Sequence, residues 1–422
     1  MNLLLKNITI ISPGSSYHLA KKDMRIMSGV ISEIKNSLTV KKDEEVFDGT
    51  NKYVSSGFCD LFANLCDPGF EYKEDLKSGA AAAAAGGFTT VIISPQTHPA
   101  LHSKAQVEYI KNNSRNLGVD MIPLGAVTRN CEGKEMTEMY DMRTAGAIAY
   151  SDGWNPITDS GVLMRALQYV KTFDGIIYNQ PDDKALSSLG QMNEGRTSVA
   201  LGMKGIPDIA EELMVVRDIY LCEYTHSRLH FPCISTARAV QLIREAKQRG
   251  IRITCSVHPL HLLLDDSALK SFDSDFKIYP PLRTKEDVAA LQQGLVDGTI
   301  DAVCSAHQPQ NEELKRVEFD YAAFGATGLE TAFCTFVEAM KEKATAELIA
   351  EKFSAAPKKL LGFSSPPLDE NSEASLTIFD LDSETDFSAD KIKSRSVNTP
   401  LRGKKLRGKI HGIIHKDQFI KN

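Results

Sequence analysis

The sequence lacks the patterns that announce most site chemistries. It holds no His-x-His pair, no Cys-x-x-Cys pair, no Gly-x-Ser-x-Gly elbow and no Walker A loop. The first absence removes the arrangement in which one extended segment offers two imidazoles to a single ion. The second removes a zinc ribbon or a dithiol redox motif. The last two argue against a serine hydrolase of the α/β type and a P-loop nucleotide site. Gly86-Gly87 follows a helical stretch rather than a strand, so it is no dinucleotide fingerprint. Apolar runs such as Ala80–Ala85 fall far short of the about 20 residues that span a bilayer. Met1–Leu5 followed by Lys6 lacks the basic-then-apolar order of a signal peptide, so no membrane partner is expected. Excess positive charge is absent as well: 49 basic residues face 55 acidic ones, for a net charge of −6. Proteins that live on nucleic acid are usually basic, so nucleic acid is not expected as a partner.

What remains is an ordinary globular composition, 42% hydrophobic and 25% charged, over 422 residues. That length suits two or three domains, or one large barrel with an accessory domain. The eight cysteines, Cys59, Cys66, Cys131, Cys222, Cys233, Cys255, Cys304 and Cys334, fall mostly in apolar, strand-like runs. They read as reduced, buried thiols of a cytoplasmic protein. Charge is unevenly placed: from Lys391 onward there are ten basic residues and one acid, Asp417. This reads as a solvated β-rich tail whose lysines protect a sheet edge, or as a docking surface for an acidic partner.

The chain divides into three stretches. Residues 1–53 show short β segments at Leu3–Ile11, Lys22–Ser28, Val30–Ile34 and Glu45–Asp48, punctuated by Pro13, Gly14 and Gly29. Residues 365–422 read similarly, with strands at Ala374–Phe379 and Gly408–His415. Neither end is self-sufficient, and together they predict one small β-sandwich built from both termini. Residues 54–364 alternate strands and helices. Strands are expected at Gly57–Asn64, Thr89–Ser94, Met121–Val127, Ala147–Ser151, Gly175–Asn179, Arg228–Cys233, Arg252–Val257 and Ala302–Ser305. The clearest helices are Leu76–Ala85, Ile209–Thr225, Thr236–Gln248 and Thr284–Gly294. Eight strands, each followed by a helix, predict an α/β fold of the (β/α)8 barrel type.

Chemistry in such barrels sits at the carboxyl ends of the strands. Those ends offer Asp152, Cys233, His258, His261 and His307, scattered over four strands. A hydrolytic metal site wants three or more convergent imidazoles or carboxylates. His258 and His261 read as hydrogen-bonded histidines near the barrel mouth. Cys233 reads as a small buried hydrophobe, and Asp152, before Gly153, as a turn cap. Asp152, Cys233 and His307 remain as weak metal candidates, and Cys233 with His258 or His307 as a formal nucleophile pair.

Longer motifs then carry a resemblance. Asp67-Pro68-Gly69-Phe70-Glu71-Tyr72-Lys73-Glu74-Asp75, an alanine-rich helix, and Gly86-Gly87-Phe88-Thr89-Thr90-Val91 closely resemble dihydroorotases of the amidohydrolase superfamily. Met192-Asn193-Glu194-Gly195, Gly205-Ile206-Pro207, Pro280-Pro281-Leu282-Arg283, Gly328-Leu329-Glu330-Thr331 and Asn398-Thr399-Pro400 are similar to further motifs of that family. The resemblance covers essentially the whole chain. It implies a metal-dependent barrel with a composite β-sandwich, and the reversible cyclisation of N-carbamoyl-aspartate to dihydroorotate.

The departures from the family pattern are as specific as the matches. The strand-one motif Asp-x-His-x-His-x-Arg reads Asp60, Phe62, Asn64, Cys66 here. Both metal histidines and the carboxylate-holding arginine are therefore absent. The strand-five metal histidine falls on Asn179, the strand-six one on Cys233, and the strand-eight catalytic Asp on Ala306. Only the strand-four Asp survives, as Asp152. Three further substrate contacts fall on Gln96, Tyr279 and Gln310. The family reaction needs a metal-activated hydroxide and a general acid/base, and this chain lacks the residues for both. The expectation is a degenerate pseudoenzyme without a bound cofactor. By resemblance it would associate with aspartate transcarbamoylase, and it would form a homo-oligomer. Two alternatives stand beside it: an active cyclic amidohydrolase with a non-standard zinc site, and a small-ligand binder that uses the barrel mouth.

Overall fold

The computed structural model describes residues 1–422. Five strands open the chain: β1 (Asn2–Ile11), β2 (Lys21–Met27), β3 (Val30–Lys35), β4 (Glu45–Asp48) and β5 (Tyr53–Ser56). The barrel strands follow: β6 (Phe58–Ala63), β7 (Phe88–Ile93), β8 (Asp120–Pro123), β9 (Tyr150–Ser151) and β10 (Ile176–Tyr178). A short parallel pair, β11 (Met192–Asn193) and β12 (Gly205–Ile206), interrupts them. Then come β13 (Arg228–Phe231), β14 (Ile253–Val257) and β15 (Ala302–Val303). Three strands close the chain: β16 (Leu376–Asp386), β17 (Lys405–His415) and β18 (Gln418–Lys421).

The eight strands β6–β10 and β13–β15 pair in parallel in chain order. Two isolated parallel bridges, Gly125 with Tyr150 and Ala63 with His307, close the remaining gaps. The result is a closed (β/α)8 barrel, as the alternation of elements predicts. Its helices are α1 (Leu76–Ala85), α2 (Lys104–Ser114), α3 (Met139–Ala145), α4 (Ser160–Lys171), α5 (Lys184–Ser187), α6 (Arg196–Leu201), α7 (Ile209–Thr225), α8 (Ala237–Gln248), α9 (Leu260–Leu263), α10 (Lys285–Val296), α11 (Glu312–Lys315) and α12 (Ala332–Met340).

Local chemistry explains these elements. Asp75 caps α1: its carboxylate accepts the Ser78 amide, while the Ser78 hydroxyl takes the Asp75 amide. The alanine-rich composition of α1 permits a close approach to the barrel. A Cβ on Gly79 would come within 2.7 Å of Leu65. The α8 helix shows the ordinary amphipathic rule, with Ala239, Val240, Ile243 and Ala246 turned inward.

The strands of both termini join in one eight-stranded sheet, ordered β18-β17-β16-β5-β1-β2-β3, with β4 on β1. The Tyr53–Ser56 strand belongs to this sheet, and the barrel begins at Phe58. The sheet is sewn to the barrel floor. Phe58 N donates to Thr377 Oγ1, which donates in turn to the Gly87 carbonyl. Phe58, Phe333, Phe353 and Phe379 pack as one aromatic group beneath the strands. All eight cysteines are free and buried. No helix is long and apolar enough to cross a membrane.

Candidate functional site: the barrel mouth

The positions at which the family pattern places metal and catalytic groups form an apolar plug. Phe62, Cys233 and Ala306 are buried in one hydrophobic cluster with Trp154, Tyr178 and Cys304. Phe62 meets Trp154 edge to face at 4.9 Å between ring centroids, and Trp154 meets Tyr279 at 6.0 Å. Cys233 Sγ lies 3.3 Å from Cys304 Sγ, and burial pushes the Cys233 thiol well up, so it stays protonated.

The polar members of the set are committed to local partners. Asn64 Oδ1 accepts the Cys66 amide at 2.9 Å. Asn179 Oδ1 accepts the Ile157 amide at 3.0 Å, and its Nδ2 donates to Asp218 at 2.6 Å. Asn179 thus pins the loop that follows β9. Gln96 Oε1 accepts the Trp154 backbone amide at 2.8 Å and so fixes the backbone that carries that ring. Cys66 is buried, and burial pushes its thiol up to about 12. Tyr279 carries the Lys184 ammonium over its ring, 4.8 Å from the centroid. Gln310 accepts from Lys73 Nζ and donates to the Phe324 carbonyl.

The three weak metal candidates do not converge. Asp152 Oδ1 accepts the Thr128 amide at 2.9 Å and its Oδ2 meets the Thr128 hydroxyl. Burial raises its carboxyl to about 6 against these hydrogen bonds. His307 Nδ1 accepts the Gly328 amide at 3.2 Å, and its Nε2 lies 3.3 Å from the buried Glu74 carboxylate. Cys233 belongs to the thiol pair. His261 Nε2 is bound to the Pro280 carbonyl, while His258 Nδ1 is buried without a partner. Burial is the first cause that holds both imidazoles below their ordinary range, His261 at about 4. Nowhere do three or more His, Cys, Asp or Glu side chains gather as a ligand set. The donor chemistry at the mouth therefore does not fit the zinc site that the fold family implies. One carboxylate, a protonated thiol and an imidazole tied to Glu74 replace a convergent set.

The longer motifs, by contrast, come together as internal ties. Arg283 Nη1 donates to Asn193 Oδ1 and to the Ile206 carbonyl, each at 2.9 Å, and its Nε donates to Ser235 Oγ at 3.0 Å. The motifs at 192–195, 205–207 and 280–283 thus meet on one guanidinium. The buried Glu211 accepts the Ser235 and Thr236 amides beside it. Glu330 accepts the Lys393 and Ser394 amides, and Glu74 accepts the Arg395 amide. Asn398 joins Gln310 to the Gly325 carbonyl. The basic tail is partly neutralised within the chain, by Lys391 with Asp386, Arg395 with Asp75 and Arg402 with Asp275.

Reading the sequence for ligands missed Trp154, Glu74 and Glu211. Trp154 is the sole tryptophan and follows Asp152-Gly153, a signal in plain view. Glu74 and Glu211 carry no such sign, because their partners lie at Ser394, Arg395, Ser235 and Thr236.

Comparison with known proteins agrees with the architecture. Residues 51–239 match the family described as "Dihydro-orotase-like". The chain is 42% identical over 417 residues to a dihydroorotase of Thermoanaerobacter sp. (strain X514), covering 98% of this chain and 96% of that one. It is 41% identical over 410 residues to a dihydroorotase of Pelotomaculum thermopropionicum, covering 97% and 96%. Among solved structures it superposes on an L-hydantoinase from Arthrobacter aurescens with a TM-score of 0.88 at 22% identity, over 100% of this chain and 96% of that one. Identity of this degree along nearly the full length of both chains settles the kinship, and the chain belongs to the dihydroorotase family.

Proposed function

We propose that this chain is a catalytically silent member of the dihydroorotase family that acts by binding, in the setting of pyrimidine biosynthesis. The observation that carries the reading is the apolar plug of Phe62, Cys233, Ala306 and Trp154 where the family's hydrolytic groups would converge. Hydrolysis or closure of a cyclic amide needs a nucleophilic hydroxide and a group that moves the proton. Asp152, the one acid that survives among the metal and catalytic positions, has both oxygens engaged by Thr128. Losing even one preorganised electrostatic contributor costs about 10²–10³ in rate, and several are replaced here. The partner the family resemblance suggests is aspartate transcarbamoylase. Integrity of the barrel and tail, with the long motifs used as internal ties, supports a role that depends on shape.

Two measurements test this. Elemental analysis of protein purified without chelator, together with a dihydroorotate turnover assay, is expected to give no stoichiometric zinc and no turnover above contaminant controls. Near two zinc ions per chain with turnover within tenfold of an ordinary dihydroorotase would establish the active hydrolase that its relatives' names suggest. Light scattering of a mixture with aspartate transcarbamoylase is expected to show a joint species. Separate elution of both proteins, with transcarbamoylase activity unchanged by deletion of this protein, would remove that partner.

A further inference from the structure

Three aromatic rings stand nearly at right angles beside the plug. Trp154 meets Tyr279 at 6.0 Å between centroids with 85° between planes, and Tyr279 meets Phe324 at 5.8 Å and 79°. Rings that only fill a core close on one another. These three line a cavity of about 280 Å³, which they share with Lys184 and Ser187 of α5 and with Gln308. Lys184 is the sole charged residue of that lining.

The rings already hold cations. The Lys184 ammonium lies 4.8 Å from the Tyr279 centroid, and the Lys277 ammonium 5.0 Å from that of Phe324. The face of an aromatic ring is negative and attracts positive charge, more strongly once water is excluded. The two lysines differ in what ties them. Lys277 is buried and donates to the carbonyls of Phe319 and Asp320, so it is part of the wall. The Lys184 side chain is 48% exposed, while its partner Asp182, 2.7 Å away, is only 4% exposed. Asp182 is also held by the Ser187 hydroxyl at 2.9 Å. The carboxylate is therefore fixed, and the cation above it is the movable half of the pair.

Lys184 thus stands in for a ligand cation. A primary ammonium is compact and strongly hydrated, so swinging out into water restores much of what it gives up. A methylated ammonium is weakly hydrated and loses less on entering a box of rings, which is the common use of such boxes. Trp154 adds a second demand. It is 7% exposed, and its Nε1–H is buried without a partner. Indole nitrogen only donates, and an unpaired buried donor is costly, so the site asks for an acceptor oxygen on the same ligand. The volume lies just under the roughly 300–1,000 Å³ of small-molecule sites, which suits one headgroup and excludes a two-ring ligand.

We propose that the mouth cavity binds a small methylated ammonium carrying an acceptor oxygen, of the choline type, with Lys184 displaced from the Tyr279 ring and Asp182 left as counter-ion. The inference rests on the reading that the mouth binds and does not hydrolyse. Zinc content and turnover judge that reading separately, and a zinc-free, inactive chain that ignores choline fails this proposal alone.

Trp154 is the only tryptophan, so its fluorescence reports the site directly. Titration of the full chain with choline is expected to give a saturable change, with one site per chain by calorimetry. The neutral isostere, with carbon in place of the nitrogen, is expected to give neither signal. Lys184→Ala removes the internal cation and is expected to bind choline about tenfold tighter, whereas Asp182→Asn and Tyr279→Leu are expected to bind at least about tenfold weaker. Lys184 is half exposed, so the first variant keeps the fold and the sign of its effect decides even where the other two are unstable. No binding by wild type or Lys184→Ala at about 10 mM choline overturns the proposal. So does equal binding of the neutral isostere, which would make the box a purely apolar slot. Weaker choline binding by Lys184→Ala also overturns it, because the lysine would then be a contact of the ligand and not its competitor.

Discussion

At Asp152 burial and hydrogen bonding pull in opposite directions, and burial wins: the carboxyl sits at about 6 against an ordinary value of 3.8. A folded-state value above the unfolded one stabilises the fold at low pH, and the benefit is lost as pH rises through the interval from about 4 to 6. Asp152→Asn keeps an oxygen for the Thr128 amide and removes the ionisation. Its stability relative to the wild type is therefore expected to rise across that interval by up to about 3 kcal/mol. Urea unfolding at a series of pH values checks it, and a difference that stays flat with pH refutes the burial argument. Phe62 makes the complementary point. Its ring is fully buried against Trp154, so Phe62→Ala is expected to cost about 3–5 kcal/mol in the same assay. A near-neutral result would mean that the mouth is open and hydrated.

The strands and helices were legible from the sequence wherever period and punctuation agreed. The α1 and α7 helices span the residues their patterns predict, because an alanine run and a seventeen-residue apolar helix leave no rival period. The strand expected at Met121–Val127 ends at Pro123. Beyond it the chain is held by single bridges, Gly125 to Tyr150 among them, so apolar composition there marks the barrel wall and not continuous pairing. The emptied ligand positions were legible one at a time from the family motif. Their joint consequence, a plug around Trp154, was not, since it depends on rings from β6, the β9 loop and Tyr279 meeting in space. The ties between the motifs were equally hidden. Glu330 and Ser394 are 64 residues apart and meet only in the fold. Glu330→Ala leaves the Lys393 and Ser394 amides without their acceptor, which is expected to cost about 1–3 kcal/mol. Hydrogen exchange should show faster exchange at residues 391–398 and little change in β6–β8. Unaltered protection of the 391–398 stretch would show that the tail is held by other contacts.

Assembly of the chain as one body rests on a sheet whose strands come from opposite ends of the sequence. The β16 strand pairs with β5 through Leu376 with Ser56 to Phe379 with Tyr53, so a loop of some three hundred residues closes when these strands meet. Closing such a loop carries an entropic cost that grows slowly with its length. It is offset only if the barrel in between is already compact and the strands bury a face on arrival. The face is there: Phe379 enters the aromatic group of Phe58, Phe333 and Phe353 under the barrel floor, and Thr377 bridges Phe58 and Gly87. Barrel floor and terminal sheet therefore share one core and should unfold together. A chain ending at Phe363 loses β16, β17 and β18, bares the β5 edge, and strips one side from Phe58. It is expected to show no cooperative thermal transition and to bind a hydrophobic dye, while the full chain gives a single transition by far- and near-ultraviolet dichroism alike. A truncated chain that keeps a sharp transition and a native near-ultraviolet spectrum would show that the barrel stands without its sheet, and that the shared core is a seam between two separate folding units.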